Sequence, residues 1–297
     1  MKIAVIGTGK MGRIHCRVLK DMGALCGIYD VDQIACHQVA KDFDAFPHKT
    51  LDGILKNDLD GVVIATPTEY HLENALRCID TGFDVLIEKP MCSSLEDAQQ
   101  LVDVVKKTNR IVTVGYIERH NPVFRELCNR VTSNMFGEIT SVNIKRVGGI
   151  PRSADNVVMD IMTHDINLLL AMFKKPPNNV YVHRRESGDI VHSAQALLDF
   201  DTASATCEAN WVSPVKMRTV AVTGTKGYAE IDMIKQEITQ VHEEGRDIRV
   251  FNEEPLKNEI SAFLEAIKTR DTSRIVGIDE AFQTLEVTTK AAYGEEK

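Results

Sequence analysis

Residues 3–12 read Ile-Ala-Val-Ile-Gly-Thr-Gly-Lys-Met-Gly, and no other stretch limits the possible folds as sharply. Four consecutive apolar residues suit a strand buried on both faces. Gly7, Gly9 and Gly12 then follow at G-x-G-x-x-G spacing, and a helical pattern opens at Gly12. Glycines at those positions permit a tight turn and close approach of the backbone to a pyrophosphate. The helix N-terminus behind them offers unpaired N–H groups and a partial positive charge. A glycine triplet by itself is weak, but here the strand, the helix and a later acid agree. That acid is Asp30, at the end of the apolar run Leu25–Tyr29 and about 20 residues on, as a dinucleotide site requires. A carboxylate there accepts hydrogen bonds from ribose hydroxyls and repels a 2′-phosphate. No arginine follows directly, so the expected cofactor is NAD rather than NADP. Its expected contacts are Gly7, Thr8, Gly9, Lys10, Met11, Gly12 and Asp30.

The strand-then-helix grammar repeats. Apolar runs at Gly61–Ala65, Val85–Ile87 and Ile111–Val114 alternate with helical patterns over Tyr70–Thr81 and Ser94–Thr108. Repeated βα units of this kind build a doubly wound parallel sheet, the Rossmann arrangement. After His120 the pattern changes. A helix over Pro122–Val131, a strand over Ile139–Val147 and a helix over Val157–Phe173 precede a series of strands. These are Asn179–Arg185, His192–Asp199, Ala203–Val212, Met217–Thr223, Tyr228–Met233 and Glu237–Val241, and helices over Glu254–Thr269 and Asp279–Tyr293 close the chain. Strands in series with helices before and after imply an α+β domain on a mostly antiparallel open sheet. The expected fold is therefore α/β followed by α+β, with a boundary near 117–121. Residues 1–119 form the dinucleotide-binding domain and 120–297 a substrate-binding and oligomerisation domain.

A chain of 297 residues fits two domains. Its net charge of −8 disfavours nonspecific nucleic-acid binding. Seven cysteines, with no C-x-x-C pair, read as small apolar residues in a reducing compartment. No run of about eighteen apolar residues is present for a membrane span, and the N-terminus lacks a signal-peptide pattern. The expected location is the cytoplasm.

Three further places carry chemistry. Ala65-Thr66-Pro67-Thr68 closes the third apolar strand, and strand carboxyl ends border the ligand crevice in such sheets. Lys89, in Glu88-Lys89-Pro90, ends the fourth run, where desolvation and a cationic nicotinamide ring would lower its pKa and fit it to shuttle a proton. Taken alone it reads equally well as a surface lysine before a helix. Asp160 and His164 stand four apart on the Val157–Phe173 pattern, hence on one helix face, where the carboxylate can orient the imidazole. Taken alone they read as an ordinary helical ion pair, with Asp165 as a supporting carboxylate. Zinc is not expected, because no third ligand falls at metal spacing.

With these residues in view the whole chain resembles the Gfo/Idh/MocA oxidoreductases. The resemblance rests on Gly7–Gly12, Asp30, Ala65-Thr66-Pro67-Thr68 with His71, Glu88-Lys89-Pro90 and Val114-Gly115-Tyr116. Asp160-x-x-x-His164 and the Gly224-Thr225-x-Gly227 turn extend it. It implies that Lys89, Asp160 and His164 are the catalytic trio, with His164 the proton acceptor. Ala65, Thr66, Pro67, His71, Glu88 and Lys89 join the cofactor contacts. It also implies a cis Lys89–Pro90 peptide and homo-oligomer contacts, dimer or tetramer, through the second sheet. Three stretches (114–122, 160–166 and 210–216) are similar to the microbial branch that oxidises the 3-hydroxyl of UDP-N-acetylglucosamine, although His120 replaces a frequent Phe. That branch implies a nucleotide-sugar substrate, with Lys89, Tyr116, Arg119, Arg146, Arg152, Asp160 and His164 around it and no metal. Lys145 is a further cationic candidate for the diphosphate, and Trp211 reads as core. Two other readings stay open: a cyclitol or free-sugar dehydrogenase or reductase, and a noncatalytic NAD-binding regulator.

Overall fold

The computed structural model describes residues 1–149, 156–243 and 245–294. They divide into two compact units: Met1–Tyr116 with Leu256–Phe282, and Ile117–Pro255 with the chain from Gln283 on.

The first unit holds six parallel strands: β1 (Ile3–Ile6), β2 (Leu25–Tyr29), β3 (Phe46–His48), β4 (Gly61–Ile64), β5 (Asp84–Glu88) and β6 (Val112–Gly115). Their order is β3-β2-β1-β4-β5-β6, with every pairing parallel. The order reverses between β1 and β4, and in such sheets ligands bind where it does. Every residue of β1, β4, β5 and β6 is buried, which is why these strands read as unbroken apolar runs. Helices α1 (Lys10–Asp21), α2 (Gln33–Phe43), α3 (Leu51–Leu55), α4 (His71–Thr81) and α5 (Leu95–Lys106) make the connections. Neither α2, α3 nor β3 stood out in the sequence. Strand β3 is three residues long and contains Pro47, tolerable because β3 lies at the sheet edge.

The chain also returns to this unit. Helix α8 (Pro255–Thr269) buries Leu256, Ile260, Phe263 and Ala266. A Cβ on Gly61 of β4 would lie 2.9 Å from Ile267 Cδ1 and 3.3 Å from the Phe263 ring. The sequence reading assigned everything after residue 119 to the second domain. An amphipathic pattern reports that a helix has an apolar face, not which sheet receives it.

The second unit is built on eight strands: β7 (Ile139–Val147), β8 (Asn179–Ser187), β9 (Ile190–Phe200), β10 (Ala203–Asn210), β11 (Met217–Gly224), β12 (Gly227–Asp232), β13 (Glu237–His242) and β14 (Gly245–Val250). Their order is β14-β13-β12-β11-β7-β10-β9-β8, antiparallel except for β7 with β10. Alternation fixes the faces: Ala194, Ala196, Leu198 and Phe200 of β9 join the core, while Gln195, Leu197 and Asp199 point away from it. Helices α6 (Pro122–Thr132) and α7 (Thr163–Phe173) supply the other side of that core. The final helix, α9 (Ile278–Tyr293), contributes Val287, Ala291 and Ala292 to it. Strand β14 was not expected. All six of its residues are exposed, so it is defined by hydrogen bonds to β13 and leaves no burial pattern.

Candidate active site

The cofactor cradle lies in the first unit. Gly7 has φ +97°, a left-handed conformation that suits glycine, and a Cβ there would meet the Ala65 carbonyl at 2.6 Å. A Cβ on Gly12 would sit 1.9 Å from the Gly7 carbonyl oxygen. Both glycines are therefore demanded by the packing of the turn itself. Gly9 is different: a Cβ there would meet nothing within 4 Å. It leaves open space at the N-cap of α1, where no side chain caps the helix and no acidic residue lies in the first turn. An uncapped N-terminus facing open space is what a pyrophosphate needs.

Asp30 is fastened to this turn. Its Oδ2 accepts from the Thr8 N–H at 2.6 Å and the Thr8 hydroxyl at 2.8 Å, and its Oδ1 accepts from Asp32 N–H at 2.9 Å. Thr8 thus acts through Asp30, holding the carboxylate by the fingerprint loop. Asp32 caps α2 by accepting from Ile34 N–H and Ala35 N–H, so the donors of that helix end already face a carboxylate. These features fit NAD and oppose an added 2′-phosphate. Lys10 is exposed and Met11 half-buried at the start of α1.

Two strands from β1, β5 ends in Glu88-Lys89-Pro90, and the Lys89–Pro90 peptide is cis. Glu88 is buried; its Oε1 lies 2.7 Å from His15 Nε2 of α1, and its Oε2 accepts from Lys89 N–H at 3.3 Å. Burial works to raise the Glu88 carboxyl, but the hydrogen bond and charge of His15, with Lys89, outweigh it and hold it below the usual carboxylate range. Glu259 of α8 is also buried, and neither of its oxygens has a hydrogen-bond partner among the described residues. Burial, then the charge of Glu88, pushes its carboxyl well above the usual carboxylate range. His15 and Glu259 escaped the sequence reading because each sits inside an ordinary amphipathic helix pattern. Lys89 itself is half-buried.

His71 requires a correction. It was expected to touch the cofactor, but it is 1% exposed, with Nδ1 2.9 Å from the Pro90 carbonyl oxygen and Nε2 2.9 Å from that of Thr66. Its ring spans the turns after β4 and β5 and presents no nitrogen to a ligand. In the Ala65-Thr66-Pro67 turn, Ala65 and Thr66 are half-buried and Pro67 exposed.

In the second unit, the sequence expected an uninterrupted helix from Val157. The chain instead makes a π-turn over Val158–Met162 before α7 begins at Thr163. Asp160 is buried within that turn and His164 is half-buried in the first turn of α7. Wide turns of this type inside helices recur at functional sites. Asp165 points elsewhere: its Oδ1 accepts from Arg146 Nε at 2.7 Å.

Arg146 is the second correction. The sequence offered it as a partner for a substrate diphosphate, yet it is 4% exposed and donates to Glu118 at 2.8 Å as well as to Asp165. Glu118 also accepts from Arg218 at 2.7 Å. Burial opposes ionisation of Glu118, but Arg146 and Arg218 hold it below the usual carboxylate range, whereas burial pushes Asp165 up to about 6. The guanidinium is committed to two internal carboxylates. Tyr116, another expected substrate contact, is 1% exposed and part of the first unit's interior. Lys145 lies on the outer sheet face, 3.1 Å from Glu208, and Trp211 is core, as expected. Arg119 is half-buried, and Arg152 lies outside the described residues. Among the described residues no three His, Cys, Asp or Glu side chains could hold a metal ion, and no helix is long and apolar enough to cross a membrane.

Comparison with known proteins agrees with this geometry. Residues 1–116 match the Gfo/Idh/MocA oxidoreductase family, NAD-binding Rossmann fold, and residues 124–230 match a C-terminal domain of the same family. A UDP-N-acetylglucosamine 3-dehydrogenase of Acidithiobacillus ferrooxidans is 30% identical over 182 residues, 61% of this chain and 56% of that protein. The scyllo-inositol 2-dehydrogenase (NAD(+)) of Bacillus subtilis is 25% identical over 310 residues, covering 94% of this chain and 90% of the relative. A solved structure of the Acidithiobacillus enzyme superposes with a TM-score of 0.91 at 25% identity, covering 98% of this chain and 96% of that one. With cradle, Asp30 and both domain matches in agreement, this chain belongs to the Gfo/Idh/MocA family as an NAD-binding oxidoreductase.

Proposed function

We propose that the chain oxidises a secondary hydroxyl of a sugar, the 3-hydroxyl of a UDP-N-acetylhexosamine, with Lys89, Asp160 and His164 as its catalytic residues. The observation that carries this reading is the position of Lys89. It follows a buried parallel strand two places from the fingerprint strand, in the same unit as the cofactor cradle. The His164 imidazole accepts the hydroxyl proton. Asp160, four residues earlier, orients that ring and stabilises its charged form. The Lys89 ammonium stabilises the substrate oxygen as the proton leaves. NAD, when bound, supplies the hydride acceptor. Of the cationic candidates for the diphosphate, Arg119 is half-buried, whereas Arg146 is committed to Glu118 and Asp165.

Lys89→Ala and His164→Ala are expected to bind NAD with near-normal affinity by calorimetry. Each loses about 100- to 10,000-fold in turnover, the range one proton-transfer group contributes. Normal turnover in both variants would remove the assignment. Similarity to inositol dehydrogenases over nearly the whole chain supports a second reading, a cyclitol or free-sugar dehydrogenase. Following NADH absorbance with UDP-sugars, free sugars and inositols as separate substrates discriminates the two. No turnover with any of them favours a noncatalytic regulator. The seven free thiols suit a reducing compartment such as the cytoplasm.

We propose too that the outer face of the eight-stranded sheet meets a second copy of the chain. Tyr181 and Leu197 lie opposite each other on β8 and β9, and Val241 and Ile248 project from β13 and β14; all four are exposed. A hollow of about 810 Å³ runs along this face beside Thr206 and Thr219.

A further inference from the structure

His71 faces two groups that can only accept. A neutral imidazole carries one N–H and one bare lone pair, while a carbonyl oxygen carries lone pairs alone. With Thr66 and Pro90 carbonyl oxygens each 2.9 Å from a ring nitrogen, a neutral ring could donate to one and would press its lone pair against the other. Both contacts are hydrogen bonds only if both nitrogens carry protons. A buried cation needs a compensating charge, and the Glu88 carboxylate in the same unit supplies it, itself held ionised by His15 and Lys89. We propose that His71 is a positioning residue that, as an imidazolium, ties the turn after β4 to the Lys89–Pro90 turn and so sets Lys89 against the cofactor cradle.

The groups that act on His71 define how this tie responds to pH. Burial, the largest influence, holds the His71 imidazolium below the ordinary histidine range; the backbone contacts of Thr66, Pro90 and Met91 and the Glu88 charge offset it only in part, so the doubly protonated ring belongs to the acid side of the titration. Of the other titratable side chains in this cluster, His15 on α1 and Lys89 just after β5 act on Glu88. As pH rises through the His71 titration the ring loses one proton, one of the two carbonyl contacts becomes repulsive, and the two turns uncouple. The turn after β4, at a strand end that borders the cofactor crevice, then loses its anchor, so NAD affinity falls as pH rises, which is the opposite of what loss of a positive charge beside a cationic nicotinamide would give.

The test uses the full chain with ¹⁵N-labelled histidine, titrated from about pH 5 to about pH 8, the window in which imidazoles change charge. The expected result at the acid end is a His71 resonance pair with protons on both nitrogens. The amide signals of Thr66 and Lys89 shift as one proton is lost. NAD binding, measured by calorimetry on the same samples, weakens roughly tenfold over that titration, the worth of one charge-assisted hydrogen bond. In His71→Asn the pH dependence of binding is lost. A His71 ring that stays neutral across the whole range overturns the proposal, as does NAD affinity that ignores the titration. If His71→Asn does not fold, the wild-type titration decides alone. Neither measurement involves a sugar, so failure here leaves the substrate reading untouched.

Discussion

Arg146 illustrates how one side chain reads differently in sequence and in space. Next to Lys145 and near the Asp160–His164 segment in the chain, it resembled an anion-binding residue. In the structure it neutralises Glu118 and Asp165. Removing one member of a buried ion cluster strands the others. Arg146→Met is therefore expected to cost about 3–5 kcal/mol of stability, measured as a lower urea midpoint. A substrate-binding arginine would instead leave the midpoint in place and raise KM. The cue for Glu118 was present but faint: an acidic residue in Tyr116-Ile117-Glu118-Arg119, between an apolar strand and a helix. Its partners Arg146 and Arg218 lie 28 and 100 residues away, and no local pattern announces contacts at that distance.

At the level of elements, the turn between β1 and α1 separates fold from binding. Gly12→Ala drives a Cβ against the Gly7 carbonyl at 1.9 Å, so α1 must move. Gly9→Ala meets nothing of the protein within 4 Å. Gly12→Ala is expected to lower the thermal midpoint and abolish NAD binding together. Gly9→Ala should keep a wild-type midpoint, because it intrudes only on the place of the pyrophosphate, and lose NAD affinity by tenfold or more. Calorimetry for binding and a thermal melt for stability separate the two; a normal affinity in Gly9→Ala would place the pyrophosphate elsewhere. Elements whose residues are buried on one or both faces were legible, since burial imposes a period on the sequence. Strands β3 and β14 were not, for they rest on edge hydrogen bonds and bury little. The π-turn at Val158–Met162 was equally hidden, because helical periodicity does not register one wider turn.

For the whole molecule, the testable consequence concerns the outer sheet face. Leu197→Lys places a charge opposite Tyr181 without touching the core residues Ala196 and Leu198. Sedimentation is expected to show the assembly of the wild type falling to single chains, with the thermal melt of the chain itself little changed; a wild type that sediments as a single chain would refute the interface. The sequence by itself determined the parallel sheet and the NAD-binding fold built on its first glycine turn. Those features come from contacts between chain neighbours: a strand, a glycine turn, a helix, and one acid a strand later. Only the tertiary structure decided that α8 returns to the first unit, that Arg146 and His71 are spent inside the protein, and that His15 and Glu259 flank the Glu88 carboxylate. The reason is physical. Local pattern records which face of an element is apolar, whereas the fate of a buried charge depends on which distant charge or carbonyl the completed fold brings to it.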